Sequence, residues 1–146
     1  MLSLPTKIAR RYREQLPYVV WVLALLSMAG SLAMSEVFKL TPCVLCWYQR
    51  ILMYPLVVIV GVGIMRRQRD WVYYALPLVV AGTVVAGYHS LLQWGIIPEA
   101  AAPCSAVASC ALEQINWLGF VTIPFMSFLS FLAIAVVSVA YIRVKD

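Results

Sequence analysis

The residues of this chain with the most chemistry to offer are its four cysteines, Cys43, Cys46, Cys104 and Cys110. The first two form a C-x-x-C pair, and five residues separate the second two. A disulfide braces a fold mainly by closing a long loop in the unfolded chain, so a Cys43–Cys46 bond would brace little. A ring that short suits opening and closing, with a thiolate as the reacting species. A c-type haem site needs histidine directly after the second cysteine, and Trp47 stands there. A four-cysteine zinc site normally carries a second closely spaced pair, which the wider Cys104/Cys110 spacing is not. A thioredoxin-like motif belongs to a βαβ context, and the chain carries no strand pattern around it. The remaining reading is a redox-active C-x-x-C with no metal, and natural pairs Cys43–Cys46 and Cys104–Cys110.

Two polar residues stand near these cysteines. Cys46 is expected in the first turn of a helix, where the helix N-terminus favours a thiolate. Arg50 follows it by four residues, on the same helical face. An arginine is always charged, so it either supplies a cation near the sulfur or an electron-accepting oxygen, or snorkels to lipid headgroups. His89 is the only histidine. It reads either as a hydrogen bond between helices or as a donor to a bound cofactor's carbonyl, and the spacing leaves both open.

The elements that position these residues follow from composition. Of 146 residues, 64% are hydrophobic and 12% charged, against roughly 45–50% and 25% in soluble domains. Mean hydropathy is +0.90. A soluble fold of this length has too little interior for so much apolar surface, so the chain requires lipid as its solvent. A soluble enzyme, a disordered tail and a secreted disulfide scaffold are thereby excluded. A spanning helix needs about 20 mostly apolar residues, and four segments supply them, at about 16–35, 47–65, 71–94 and 117–142. None shows the ~10-residue alternation of a membrane barrel. The expected fold is all-α: one domain over 1–146, an up-down-up-down four-helix membrane bundle. The first apolar run exceeds the ~7–15 residues of a signal peptide core and is read as a span.

Nine of the eleven lysines and arginines fall in the two terminal flanks and in the turn Arg66-Arg67-Gln68-Arg69-Asp70. The positive-inside rule therefore places both termini and that turn in the cytoplasm and all four cysteines outside. The short basic runs read as topology rather than as a nucleic-acid surface, so membrane lipid is a partner and nucleic acid is not. The outer face of a bacterial membrane is oxidising, which suits disulfides there. Glu14, Glu36, Asp70, Glu99, Glu113 and Asp146 all lie outside the apolar segments. A proton-coupled transporter usually carries a carboxylate within a span.

The run Thr41-Pro-Cys-Val-Leu-Cys-Trp-Tyr-Gln-Arg50 resembles the signature of the DsbB family of membrane disulfide-bond formation proteins. Tyr88-His-Ser-Leu-Leu-Gln93, Pro103-Cys-Ser, Ser-Cys110, Trp117-Leu-Gly-Phe and Ile-Pro124 extend the likeness over nearly the whole chain. The short second cysteine spacing resembles the BdbC-type branch. The resemblance implies a protein-disulfide:quinone oxidoreductase in a bacterial cell membrane. Its partner would be a thioredoxin-like thiol oxidase of the DsbA or BdbD type, and its acceptor ubiquinone or menaquinone. It implies that Cys104 takes the partner's cysteine in a mixed disulfide, with Cys110 as its mate. Electrons then pass to Cys43–Cys46. Cys46 faces the quinone, Arg50 stabilises charge developing there and His89 helps to hold the ring. Two alternatives differ in testable ways. A vitamin K epoxide reductase-like enzyme carries its loop cysteines before the C-x-x-C, the reverse of the order here. A non-catalytic membrane protein with stapled loops would not be reoxidised by quinone.

Overall fold

Helices form along the apolar runs, where a backbone without water must satisfy its own hydrogen bonds. The structure is a computed structural model that describes residues 6–98, 100, 104, 109–111, 116–117 and 121–145. Helix α1 is Thr6–Glu36, α2 is Val44–Met65, α3 is Trp71–Gln93 and α4 is Ile123–Lys145. All four are long and apolar enough to cross a membrane. Each helix packs on its neighbour in sequence, and α1 packs on α4 to close the ring. The chain is a multi-pass, all-α membrane bundle.

Two boundaries differ from the hydropathy reading. Helix α1 starts ten residues before the first apolar run, because the intervening stretch is made largely of Arg, Lys, Glu, Gln and Ala, good helix formers outside lipid. Helix α4 starts at Ile123 rather than near Trp117. Ahead of it, strand β1 (Asn116–Trp117) pairs antiparallel with β2 (Val121–Thr122), with Asn116 opposite Thr122. Ala101, Ala102 and Pro103 of the approach to Cys104, together with Glu99, Glu113 and Asp146, lie outside the described residues.

Between helices lipid gives no hydrophobic drive, so close packing holds them. A Cβ at Gly82 of α3 would collide with the Phe131 ring of α4. Phe131 is fully buried, beside Val79, Ala86 and Ile134. At the end of the bundle that carries the Arg66–Asp70 turn, Trp71 and Tyr141 meet with ring centroids 5.2 Å apart. Both are buried in the helix ends, not presented to the headgroups as interfacial aromatics would be.

The opposite end holds the cysteines. Helix α1 stops where Lys39 turns into the left-handed region (φ 56°), and Leu40–Pro42 leads straight to Cys43. Helix α3 stops at Gly95 (φ +71°), with the Ile96 amide bonded back to the Leu91 carbonyl at 3.0 Å. Glycine has no Cβ to oppose that conformation, so the chain leaves α3 within two turns of His89.

Candidate functional site

Cys43 is the N-cap of α2, and its sulfur accepts from the Cys46 amide at 3.4 Å. Pro42 before it favours an extended entry, and a helix start leaves amides free for a sulfur to satisfy. Cys46 sits in the first turn as expected, so both cysteines use the same helix end. Their sulfurs lie 3.0 Å apart without a bond between them. The expected pair is therefore present as a dithiol. Cys104 and Cys110 form the expected disulfide.

All four cysteines belong to one cluster. Cys43, Leu45, Leu92 and Cys110 are its buried centre, with Cys46, Cys104 and Tyr88 packed against them. Cys110 is 1% exposed. The Cys43 sulfur, a ring nitrogen of His89 and the Cys110 sulfur all lie within 4.8 Å of one another. That trio has metal-ligand chemistry on paper, but a Cys110 sulfur bonded to Cys104 has no thiolate to offer a metal.

His89 is buried and belongs to the cysteine cluster. Its Nε2 is 3.7 Å from the Cys43 sulfur and 3.2 Å from the Cys110 carbonyl oxygen. Its Nδ1 is 2.9 Å from Nε2 of Gln49 on α2. Of the two sequence readings, the geometry has the interhelical hydrogen bond. The Cys43 thiol is held well below the ordinary thiol range. The chief cause is the hydrogen bond with the Cys46 thiol. Burial opposes it, and the His89 ring and the Cys46 amide add to it.

On another side of the α2 N-terminus lies a cavity of about 220 Å³, walled by α1, α2 and the start of α4. Cys46, Gln49, Arg50 and Tyr54 line it, with apolar residues such as Leu26, Met34 and Met53. His89 is not among its lining residues; its ring faces the Cys43 sulfur and the Cys110 carbonyl instead. Arg50 does not reach outward to headgroups. Its Nε donates to Ser31 Oγ at 2.9 Å and its terminal nitrogen to the Ser31 carbonyl at 2.8 Å. The guanidinium also lies 5.4 Å from the centroid of Trp47.

Does the cavity suit a quinone, as the family resemblance implies? An aromatic diketone needs apolar walls and a few aimed polar groups, and this cavity has both. The Tyr54 hydroxyl is buried with no hydrogen-bond partner among the described residues, so a carbonyl-bearing guest would satisfy it. The residues fit the group.

The family model for the disulfide bond formation protein DsbB matches residues 13–141. The chain belongs to the DsbB family. Curated relatives agree along most of its length. The disulfide bond formation protein C of Bacillus subtilis (strain 168) is 42% identical over 119 residues, 82% of this chain and 86% of the relative. A probable disulfide formation protein C 1 of Bacillus anthracis is 38% identical over 133 residues, 91% of this chain and 96% of the relative. A probable disulfide formation protein of Oceanobacillus iheyensis is 42% identical over 131 residues, 89% of this chain and 90% of the relative. No solved structure matches the chain. This DsbB-family protein is thus a membrane disulfide-formation protein with a thiol–disulfide oxidoreductase's cysteines.

Three residues of the site escaped the sequence reading: Gln49, Ser31 and Tyr54. Gln49 carried a usable signal, as a polar residue inside an apolar span next to the C-x-x-C. Ser31 and Tyr54 carried none, because their roles depend on which helices face each other.

Proposed function

We propose that this DsbB-family protein oxidises the dithiol of a thioredoxin-like, extracytoplasmic partner and passes the electrons to a membrane quinone. The observation that carries this reading is the chain of sulfurs. Cys110 lies within 4.8 Å of Cys43, Cys43 lies 3.0 Å from Cys46, and Cys46 lines the membrane cavity. The basic flanks and the basic central turn orient the cysteine end outward, into the oxidising compartment of a bacterial cell.

The steps are thiol–disulfide exchanges. The partner's thiolate attacks Cys104, the less buried of the loop pair, and Cys110 leaves. The partner's second thiolate then attacks its own sulfur in that mixed disulfide and releases Cys104, so the partner leaves oxidised. With the C-x-x-C closed, the Cys110 thiolate attacks the Cys43 sulfur. A Cys110–Cys43 bond forms, the Cys43–Cys46 bond breaks and Cys46 leaves as thiolate. Cys104 then attacks Cys110, restoring that disulfide and releasing Cys43 as thiolate. Two electrons have moved from the loop pair to the C-x-x-C, and the two thiol protons move with them. The product of this exchange is a closed loop pair beside an open C-x-x-C.

Cys46, Arg50, Tyr54 and Gln49 would hold the quinone. A bound quinone supplies a two-electron, two-proton acceptor, the chemistry the side chains lack. Arg50, fixed by Ser31, places a cation at the site of developing negative charge. The low polarity of the walls strengthens that interaction.

The test is to add a short-chain quinone to the reduced, purified protein and follow thiol loss and quinone absorbance. Cys104→Ser should leave Cys43 and Cys46 oxidisable by quinone while blocking electron entry from a protein dithiol. Cys46→Ser should abolish quinone reduction while mixed disulfides still form at Cys104. Full turnover in both variants would overturn the relay.

A further inference from the structure

His89 sits between two fixed constraints that together decide which of its nitrogens carries the proton. At one edge Nε2 lies 3.2 Å from the Cys110 carbonyl oxygen. A carbonyl only accepts, so Nε2 must bear a hydrogen. In a neutral imidazole Nδ1 is then a bare acceptor. The group facing it, 2.9 Å away, is the side-chain amide nitrogen of Gln49, a donor. The amide orientation and the tautomer therefore agree with each other, and the opposite pair would leave two lone pairs facing at Nε2. Both side chains are buried, Gln49 at 7% and His89 at 1% exposure. The same Nε2–H also lies 3.7 Å from the Cys43 sulfur.

We propose that Gln49 is a positioning residue of the exchange between the two cysteine pairs: by donating to Nδ1 of His89 it keeps the ring proton on Nε2, within reach of both the Cys110 carbonyl and the Cys43 sulfur. The proposal rests on the relay drawn above and adds to it the group that stabilises its leaving sulfur. When Cys104 attacks the Cys110–Cys43 bond, Cys43 departs with the electron pair, and a donor already aimed at it stabilises the thiolate as it forms. Without the Gln49 amide the neutral ring is free to place its proton on Nδ1. Nε2 then presents a lone pair to a sulfur that is gaining charge. Gln49 also borders the acceptor cavity, so a purely structural role there would alter quinone use and leave the exchange untouched.

His89 is the only histidine of the chain, so nitrogen NMR of the protein labelled with ¹⁵N-histidine reads a single ring. The purified wild-type protein should show a pyrrole-like Nε2 and a pyridine-like Nδ1. A wild-type ring protonated on Nδ1 alone overturns the proposal without any variant. In Gln49→Leu the two signals should move toward a mixture of tautomers. The companion measurement mixes oxidised protein with dithiothreitol and quenches with acid at intervals. Alkylation and mass spectrometry then locate the thiols on each cysteine pair. Transfer from the loop pair to the C-x-x-C should slow about ten- to a hundredfold in Gln49→Leu, the effect of losing one hydrogen bond to a charged group. An unchanged transfer rate, or a change confined to quinone reduction, would make Gln49 a wall of the cavity only. Failure of the relay itself looks different: wild-type protein would then keep its thiols on the loop pair.

Discussion

Replacing Arg50 tests the acceptor site directly. The residue is held by two donated bonds to Ser31, at 2.9 and 2.8 Å, and by the Trp47 face. These contacts fix the guanidinium on the cavity wall that Cys46 shares. Arg50→Met keeps length and apolar volume but removes the charge and the planar fork. The loss of a hydrogen bond to a charged group costs ~1.5–3 kcal/mol, which is about ten- to a hundredfold in apparent quinone affinity or rate. Arg50→Lys keeps the charge, but a single ammonium cannot hold both Ser31 atoms and still face the cavity in the same way. It should fall between wild type and methionine. Losing the two α2–α1 bonds should also lower stability by about 1–3 kcal/mol, since a typical net bond contributes ~0.5–1.5. That is enough to see in a melting curve and too little to unfold a bundle packed on all four sides. The assay is steady-state reduction of a short-chain quinone against its concentration, with helicity followed in parallel. Unchanged kinetics in well-folded Arg50→Met would refute the reasoning. Arg50 would then be a clamp between α1 and α2, and the site would need another source of positive charge.

Other parts of the reading are open to separate checks. If both termini and the Arg66–Asp70 turn are cytoplasmic, a membrane-impermeant thiol reagent should label the reduced cysteines in cells whose outer surface is accessible; labelling by permeant reagents alone would invert the topology. The Cys43 thiol is depressed in the folded, reduced protein by Cys46 and then His89. Its contribution to stability is therefore present above the ordinary thiol value of 9.0 and is lost as pH falls through the depressed one. Thiolate absorbance of the reduced protein should accordingly persist below pH 9.0, and His89→Ala should move its loss to higher pH. Gly82→Ala drives a methyl into Phe131 and should destabilise the bundle by about 1–3 kcal/mol, read as a lowered melting temperature, with Phe131→Leu restoring part of it.

Hydropathy made the four helices legible because lipid leaves the backbone few options, and the cysteine spacings made the loop disulfide legible because each pair lies within one loop. The short β1–β2 pairing ahead of α4 was not legible: two-residue strands carry no periodicity. Nor was the separation of Arg50, on the cavity wall, from His89, beside the Cys43 sulfur. Spacing left more than one reading of each open, and the resemblance implied one cofactor for both. Which side of a helix a residue faces is set by rotation within the bundle, and an apolar helix in lipid carries little amphipathic signal to reveal it. Gln49 shows the same limit from the other direction. Its place beside the C-x-x-C was visible, but its partner stands forty positions away on α3.

The C-x-x-C at a helix start resolves a geometric problem that a single reactive cysteine could not. On the proposed relay, electrons enter from a loop and leave into the cavity lined by Cys46, and these lie on different sides of the α2 start. Cys43 is the extended N-cap and Cys46 lies in the first helical turn, so the two sulfurs are neighbours that open onto different surroundings. Cys43, at the cap, belongs to the buried cluster with Cys110 and His89, while Cys46 belongs to the cavity wall with Arg50. Their sulfurs remain 3.0 Å apart, within reach of bond formation without movement of the helix. Transfer toward the cavity also needs the C-x-x-C to hold electrons better than the loop pair does. A dithiol whose thiolate is stabilised is the better acceptor, because stabilising the reduced form raises the potential. Cys43 has the helix start, the Cys46 thiol and the His89 ring to stabilise it. Among the described residues, the Cys104–Cys110 pair meets that arrangement through the Cys110 backbone carbonyl, which accepts and cannot donate. On the proposed relay, this asymmetry of donors among the described residues favours flow toward the C-x-x-C, with the orientation of one imidazole contributing to it.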